Sequence, residues 1–185
     1  MKMNSTVLAL AAAAAAAAFA LPAQAIVIVG TTAGGSTWNR PQAGTPPTLL
    51  SGVGTAVPYT MLPFTVSTTG SYVFQSTSTA PALWDNFVVL YQNAFSAAAP
   101  LANAVVANDD NTTIGLAGFT SALTAGTSYF LITTGFGNLD FGGYSNSITG
   151  PGTISVVPEP VSVVLLGLGL AAVLTRTRRR ETSAA

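Results

Sequence analysis

Between residues 59 and 134 the chain alternates apolar and polar positions in short stretches. These are 59–66 (YTMLPFTV), 71–77 (SYVFQST), 86–92 (NFVVLYQ), 103–107 (NAVVA), 116–123 (LAGFTSAL) and 128–134 (SYFLITT). They are rich in Val, Tyr, Phe and Thr, which suit a pleated surface, and no strong helical period runs through them. Turn residues separate them: Thr69-Gly70, Ala125-Gly126 and the polar run Asp109-Asp110-Asn111. A last short strand is expected near 153–157. Many short strands with turns at near-regular spacing predict an all-β fold, a single antiparallel β-sandwich or jelly roll over 59–157.

Residues 26–58 lack that alternation. From Gly30 to Pro58 they are rich in Gly, Pro and Thr (GTTAGGSTWNRPQAGTPPTLLSGVGTAVP) and predict an irregular arm, the least ordered part of the domain, with Trp38 tucked onto the sandwich. Both ends of the chain read differently again. Residues 1–25 carry Lys2, an apolar stretch from Val7 to Leu21, the breaker Pro22 and a small-x-small site, Ala23-Gln24-Ala25. That is the pattern of a secretory signal cut after Ala25 by signal peptidase. A retained N-terminal span is the alternative.

The C-terminal end has three parts in order. Pro158-Glu159-Pro160 comes first, then an apolar run from Val161 to Leu174, then Arg176, Arg178, Arg179 and Arg180. The prolines fix their own φ and push Val157 and Glu159 out of the helical region, so the motif is stiff and extended. As a helix the apolar run is roughly 21 Å long, and roughly 27 Å counted from Pro160 to Thr177, close to a bilayer span. The arginines stop transfer and hold the C-terminus on the cytoplasmic side. A buried core helix with a basic tip is the competing reading, but the run shows no amphipathic stripe.

This order resembles the PEP-CTERM sorting signal, over about residues 156–181. The resemblance implies recognition by an exosortase, removal of the span, and release or attachment outside a Gram-negative cell. The expected organisation is signal peptide 1–25, arm 26–58, sandwich 59–157, sorting signal 158–181 and a short end, 182–185. An N-terminal signal helix and a short C-terminal transmembrane helix thus flank the sandwich. The chain would be a membrane-held precursor before processing.

Charge then narrows the function of the middle domain. The ionised side chains of 26–157 are Arg40, Asp85, Asp109, Asp110 and Asp140, one positive and four negative, for a net −3. Nucleic-acid binding needs a basic footprint, and none exists here. The chain has no Cys and no His, and its one Lys lies in the signal segment, so a serine nucleophile has no ordinary base. A carboxylate pair, as in glycosidases, is the remaining catalytic class and a distant alternative.

A second resemblance covers about residues 59–157. GSYVFQS, WDNFVVLYQNAF, PLANAVVANDDN and LTAGTSYFLITTGF are similar to the bacterial pre-peptidase C-terminal domain, a small jelly-roll module. The resemblance implies a binding or attachment role rather than catalysis; the peptidase that accompanies such modules is missing.

Two residue sets carry candidate chemistry. Asn108, Asp109 and Asp110, joined by Asp85 and Asp140 if the strands bring them near, offer the hard oxygen ligands that calcium takes. Turn capping by Asp and Asn is the preferred reading, because the spacing matches no strong calcium-loop signature. Trp84, Phe136, Phe141 and Tyr144 lie in or beside loops. The last three fall in a glycine-rich segment, Gly135 to Gly152, a flexible platform on which a sugar could stack. Closure of one end of the sandwich is the preferred alternative. Arg40 is expected either to pair with an aspartate or to be solvated. The sequence therefore predicts an exported cell-surface or matrix protein with a structural or adhesive sandwich. A carbohydrate-binding module for extracellular polysaccharide is the alternative.

Overall fold

The computed structural model describes residues 23–157. Ten strands form it: β1 (Gln24–Thr31), β2 (Thr37–Trp38), β3 (Val57–Val66), β4 (Gly70–Ala80), β5 (Asn86–Gln92), β6 (Ala104–Asn108), β7 (Leu116–Leu123), β8 (Tyr129–Gly135), β9 (Gly143–Gly150) and β10 (Ile154–Val156). The described residues hold no helix, and the predicted signal and transmembrane helices lie outside them. One sheet runs β1-β9-β4-β7; the other runs β10-β3-β8-β5-β6, with β2 added to β3. Every paired ladder is antiparallel.

The two sheets meet over a core that includes Phe64, Tyr72, Phe74, Leu90, Leu131 and Ile148. Each sits on the face of its strand that turns toward the other sheet, as β9 shows by burying Tyr144, Asn146, Ile148 and Gly150 in turn. Two amides tie the sheets across this core. Asn86 donates to Ser76 Oγ at 2.9 Å, and Asn146 donates to Thr133 Oγ1 at 2.7 Å.

β5 departs from simple alternation: Asn86 to Tyr91 are all buried. Its second face, with Phe87, Val89 and Tyr91, packs with Ile132, Val57 and Trp38 in a separate apolar cluster. That cluster needs a third layer, and the arm supplies it. Trp38 is 4% exposed; its Nε1 donates to Thr134 Oγ1 at 3.1 Å and its ring meets Tyr59, Tyr91 and Phe95. The arm also pairs with β6, where Gly44 and Ala107 exchange both backbone bonds at 2.9 Å.

The arm has the irregular backbone expected of it over residues 32–56, apart from β2, but it is packed onto the sheet rather than loose. Its first residues are β1, and the remainder covers a hydrophobic face that would otherwise meet water. β9 also occupies what reads as a flexible glycine-rich loop. Its Gly, Ser and Asn have low strand propensity, but it lies between β1 and β4 and both ladders hold it. Gly150 is required there: a side-chain carbon on it would collide with the Tyr72 ring.

Replacing Trp38 by Ala should cost about 3–5 kcal/mol, as for other large buried aromatics. Urea unfolding of the wild-type and W38A proteins measures this. A change below about 1 kcal/mol would mean that the arm is only loosely laid on the sheet.

Candidate functional site

The ionised residues converge on one end of the sandwich. Asp85 lies just before β5, Asp109 and Asp110 follow β6, and Arg40 comes from the arm. One carboxylate oxygen from each of Asp85, Asp109 and Asp110 lies within 4.8 Å of the others. Asp85 Oδ1 and Asp109 Oδ1 are shielded from solvent and have no hydrogen-bond partner among the described residues.

Arg40 is neither solvated nor spent on a carboxylate. It is 2% exposed. Its Nε and one terminal nitrogen donate to the Phe136 carbonyl at 2.9 and 2.7 Å, and the other donates to the Pro41 carbonyl at 2.8 Å. The guanidinium lies 3.9 Å from the Phe87 ring centre and 4.9 Å from that of Phe136, within cation–π range. Burial lowers its pKa to about 10, against the opposing pull of Asp109, Asp85 and Asp140, so it stays charged at neutral pH. A cavity of about 350 Å³ beside it is lined by Arg40, Gln42, Ser51, Phe87, Asp109 and Phe136.

The carboxylates respond to the same crowding. Burial, then the charges of Asp85 and Asp110, push Asp109 up to about 6, with Arg40 pulling the other way. Asp85 is raised for the same reasons, burial first, then Asp110 and Asp140. The closeness of like charges thus adds to burial in disfavouring ionisation of Asp85 and Asp109. Three carboxylates with two unpartnered oxygens fit a hard divalent ion such as calcium, which takes oxygen ligands only.

The other two residues expected to join this set are occupied elsewhere. Asn108 Oδ1 accepts the Asp109 N–H at 2.7 Å and its amide donates to the Gly118 carbonyl. Asp140 Oδ2 accepts the Gly137 N–H at 2.8 Å. For Asn108 and Asp140 the turn-capping role is the one observed.

The expected aromatic platform does not form as a set. Trp84 is 6% and Tyr144 7% exposed. Trp84 Nε1 donates to the Gly143 carbonyl at 2.7 Å, and the Tyr144 hydroxyl bonds Thr60 Oγ1 at 2.8 Å. The interleaved glycines have a packing reason. A side-chain carbon on Gly142 would meet the Trp84 ring, and one on Gly30 would meet the Tyr144 ring. Phe136 lies against the Arg40 guanidinium while staying partly exposed, as does Phe141.

A different aromatic surface exists, one that reading the strands as core conceals. An open groove of about 570 Å³ is lined by Ser36, Tyr59, Thr60, Met61, Phe95 and Ala97. The Tyr59 and Phe95 rings meet edge-on, 5.4 Å apart at 68°. The alternation of β3 hides Tyr59, and Phe95 lies in the loop QNAFSAAAP, where no sequence signal marks it as a wall.

No family model and no curated protein matches this chain. Several solved structures are similar to it at low identity. The pre-peptidase C-terminal domain of a collagenase from Bacillus anthracis is 14% identical over 66% of this chain and 87% of that one, with a TM-score of 0.42. A CBM35 module from Cellvibrio japonicus is 12% identical over 72% and 99%, with a TM-score of 0.39. The K1 cleaved adhesin domain of Lys-gingipain from Porphyromonas gingivalis is 13% identical over 74% and 99%, with a TM-score of 0.37.

The raised Asp109 pKa has a signed consequence. The folded form holds its proton more tightly than the ordinary value of 3.8, so in chelator the melting temperature should fall as pH rises from about 4 to about 6. Asp109→Asn should flatten that fall. If the carboxylates take calcium, a hundredfold excess over Kd adds roughly 2.7 kcal/mol above pH 6, and Asp110→Asn should weaken the gain. Calorimetric melting with chelator and with millimolar calcium measures both. Indifference to pH and to calcium would leave the three aspartates with loop-forming roles only.

Proposed function

We propose that the chain is an exported cell-surface or matrix protein, a non-catalytic sandwich with a structural or adhesive role, delivered by a removable C-terminal sorting segment. The carrying observation is the order Pro158-Glu159-Pro160, apolar run, arginine cluster. Its position supports the reading. β10 ends at Val156, and the Val157 N–H bonds the Pro63 carbonyl at 2.9 Å. The motif therefore follows within one residue of the last tie to the fold. A membrane peptidase of the exosortase type, gripping an extended peptide at the outer interface, meets the motif before it meets the domain. Motif, span and arginines all lie outside the described residues, as does most of the signal segment. Of the cleavage site, Ala23 precedes β1 and Ala25 is its second residue, so a cut there leaves Ile26 to Thr31 to form the strand.

A second reading has its own observation. The Tyr59–Phe95 groove sets two aromatic rings beside Ser36, the mixture of apolar ring and polar group on which a sugar of the host's extracellular polysaccharide stacks and bonds. In that case Tyr59→Ala should weaken polysaccharide binding about tenfold by calorimetry. A wild-type protein that gives no binding heat removes this reading and leaves the first untouched.

The sorting account is tested at the prolines. Replacing both by Ala removes an interior-helix penalty of about 3 kcal/mol each and lets the helix run through Glu159. The uncut precursor should then accumulate in the inner membrane, read by fractionation and immunoblot in a host with its exosortase. Unchanged export of mature protein would show that the extended motif is not what the peptidase reads.

A further inference from the structure

The two sheets have four edges, and three of them are blunted. β6 is paired by Gly44 of the arm. β7 is tied over its first residues by the loop before it, through the Asp110–Ala117 bridge and the Asn108 amide on the Gly118 carbonyl. β10 is three residues long. These are ordinary ways of preventing an edge from recruiting another chain.

β1 has none of them. It runs for eight residues, QAIVIVGT, without proline, charge or break in register against β9. The ladder continues at Thr32, whose N–H bonds the Gly142 carbonyl at 3.0 Å. Alternate residues in an antiparallel pair turn their bonds to the partner, so the even positions of β1 face β9. The N–H and C=O groups of Ala25, Val27, Val29 and Thr31 therefore face the open edge, where no described residue pairs with them. The side chains of Val27 and Val29 are 64% and 76% exposed. Their cross-strand neighbours on the same outer face are Ser147 and Ser145, and the face continues through Gln75 and Val73 of β4, uncharged throughout.

We propose that this edge pairs with the β1 edge of a second copy, antiparallel about a two-fold axis, joining two four-stranded sheets into one. A second copy is the fitting occupant because the strand is self-complementary. With Ile28 on the axis, Val27 stands opposite Val29 of the partner copy and Ala25 opposite Thr31. Four facing residues then give four pairs and about eight backbone hydrogen bonds. The strand brings no like charges together, and the two valine pairs extend the apolar stripe across the junction. A cut after Ala25 removes the two Ala25–Thr31 pairs and leaves the two valine pairs with about four backbone hydrogen bonds. For a protein displayed outside the cell, this contact links domains without any other partner.

The chain contains no cysteine, which makes the register directly testable. Val27→Cys and Val29→Cys variants of the full chain, carrying different tags, are co-expressed, purified in mild detergent and oxidised. Directly opposed residues of a hydrogen-bonded pair lie about 5.5 Å apart at Cα, within disulfide range, whereas diagonal ones lie near 7–8 Å. The mixed disulfide should exceed either homodisulfide several-fold on a non-reducing gel. Equal yields, or none, would overturn the pairing. As a second measure, Val27→Lys with Val29→Lys places like charges opposite each other at exposed sites, where folding is spared. Sedimentation should shift from dimer to monomer with an unchanged circular dichroism spectrum. A particle mass indifferent to these lysines would overturn the proposal too.

Discussion

The architecture of the charged end depends on one buried cation. Arg40 sits out of water, and an unpaired guanidinium there would be costly. Its charge is met by two carbonyl oxygens, two aromatic faces and the field of nearby aspartates. Each contact belongs to a different part of the chain. Phe136 begins the segment between β8 and β9, Phe87 belongs to β5, and Asp109 starts the loop after β6. Arg40 itself is held in the arm by Gly54 and Ser51, whose carbonyl and N–H it bonds at 3.0 and 2.8 Å. One side chain thus ties the arm to β5 and to the segment between β8 and β9, and its charge faces the acidic cluster.

The arm has an apolar counterpart to this tie. Trp38 covers the outer face of β5 and β8, and the sandwich becomes three layers along that side. The domain needs the extra layer because β5 is apolar on both faces, which in a two-layer fold would expose Phe87, Val89 and Tyr91. The domain has no disulfide to stiffen it, and its rigidity comes from packed area and from the amides that bridge the sheets.

Seven of the ten strands were legible from β-branched and aromatic residues between turn signals, most with one face in a core and β5 with both. The rest were hidden for physical reasons. β9 buries Asn146 and Gly150, residues that no hydrophobicity pattern marks as inward, and its register is imposed by two flanking ladders. β1 is short of context, since its apolar residues adjoin a signal segment and its own alternation ends at Gly30. β2 is only two residues. The acidic cluster was legible as composition, and three of its five expected members converge because β5 and β6 are neighbours. That Asn108 and Asp140 would cap their own loops could not be separated from ligation by spacing. The aromatic platform failed because glycine next to an aromatic can mean close packing as readily as freedom: Gly142 and Gly30 exist to let Trp84 and Tyr144 lie flat against the backbone.

The sandwich and its packed arm describe one compact unit, to which the proposed function adds a C-terminal segment that is removed after export. The most direct test of that description is the intact mass of the protein recovered from outside an exosortase-bearing host. The account predicts a chain that begins at Ile26 and has lost the apolar run Val161–Leu174 and the arginines behind it. A mass that still includes the whole C-terminal span would contradict it, and would make the tail a permanent membrane anchor.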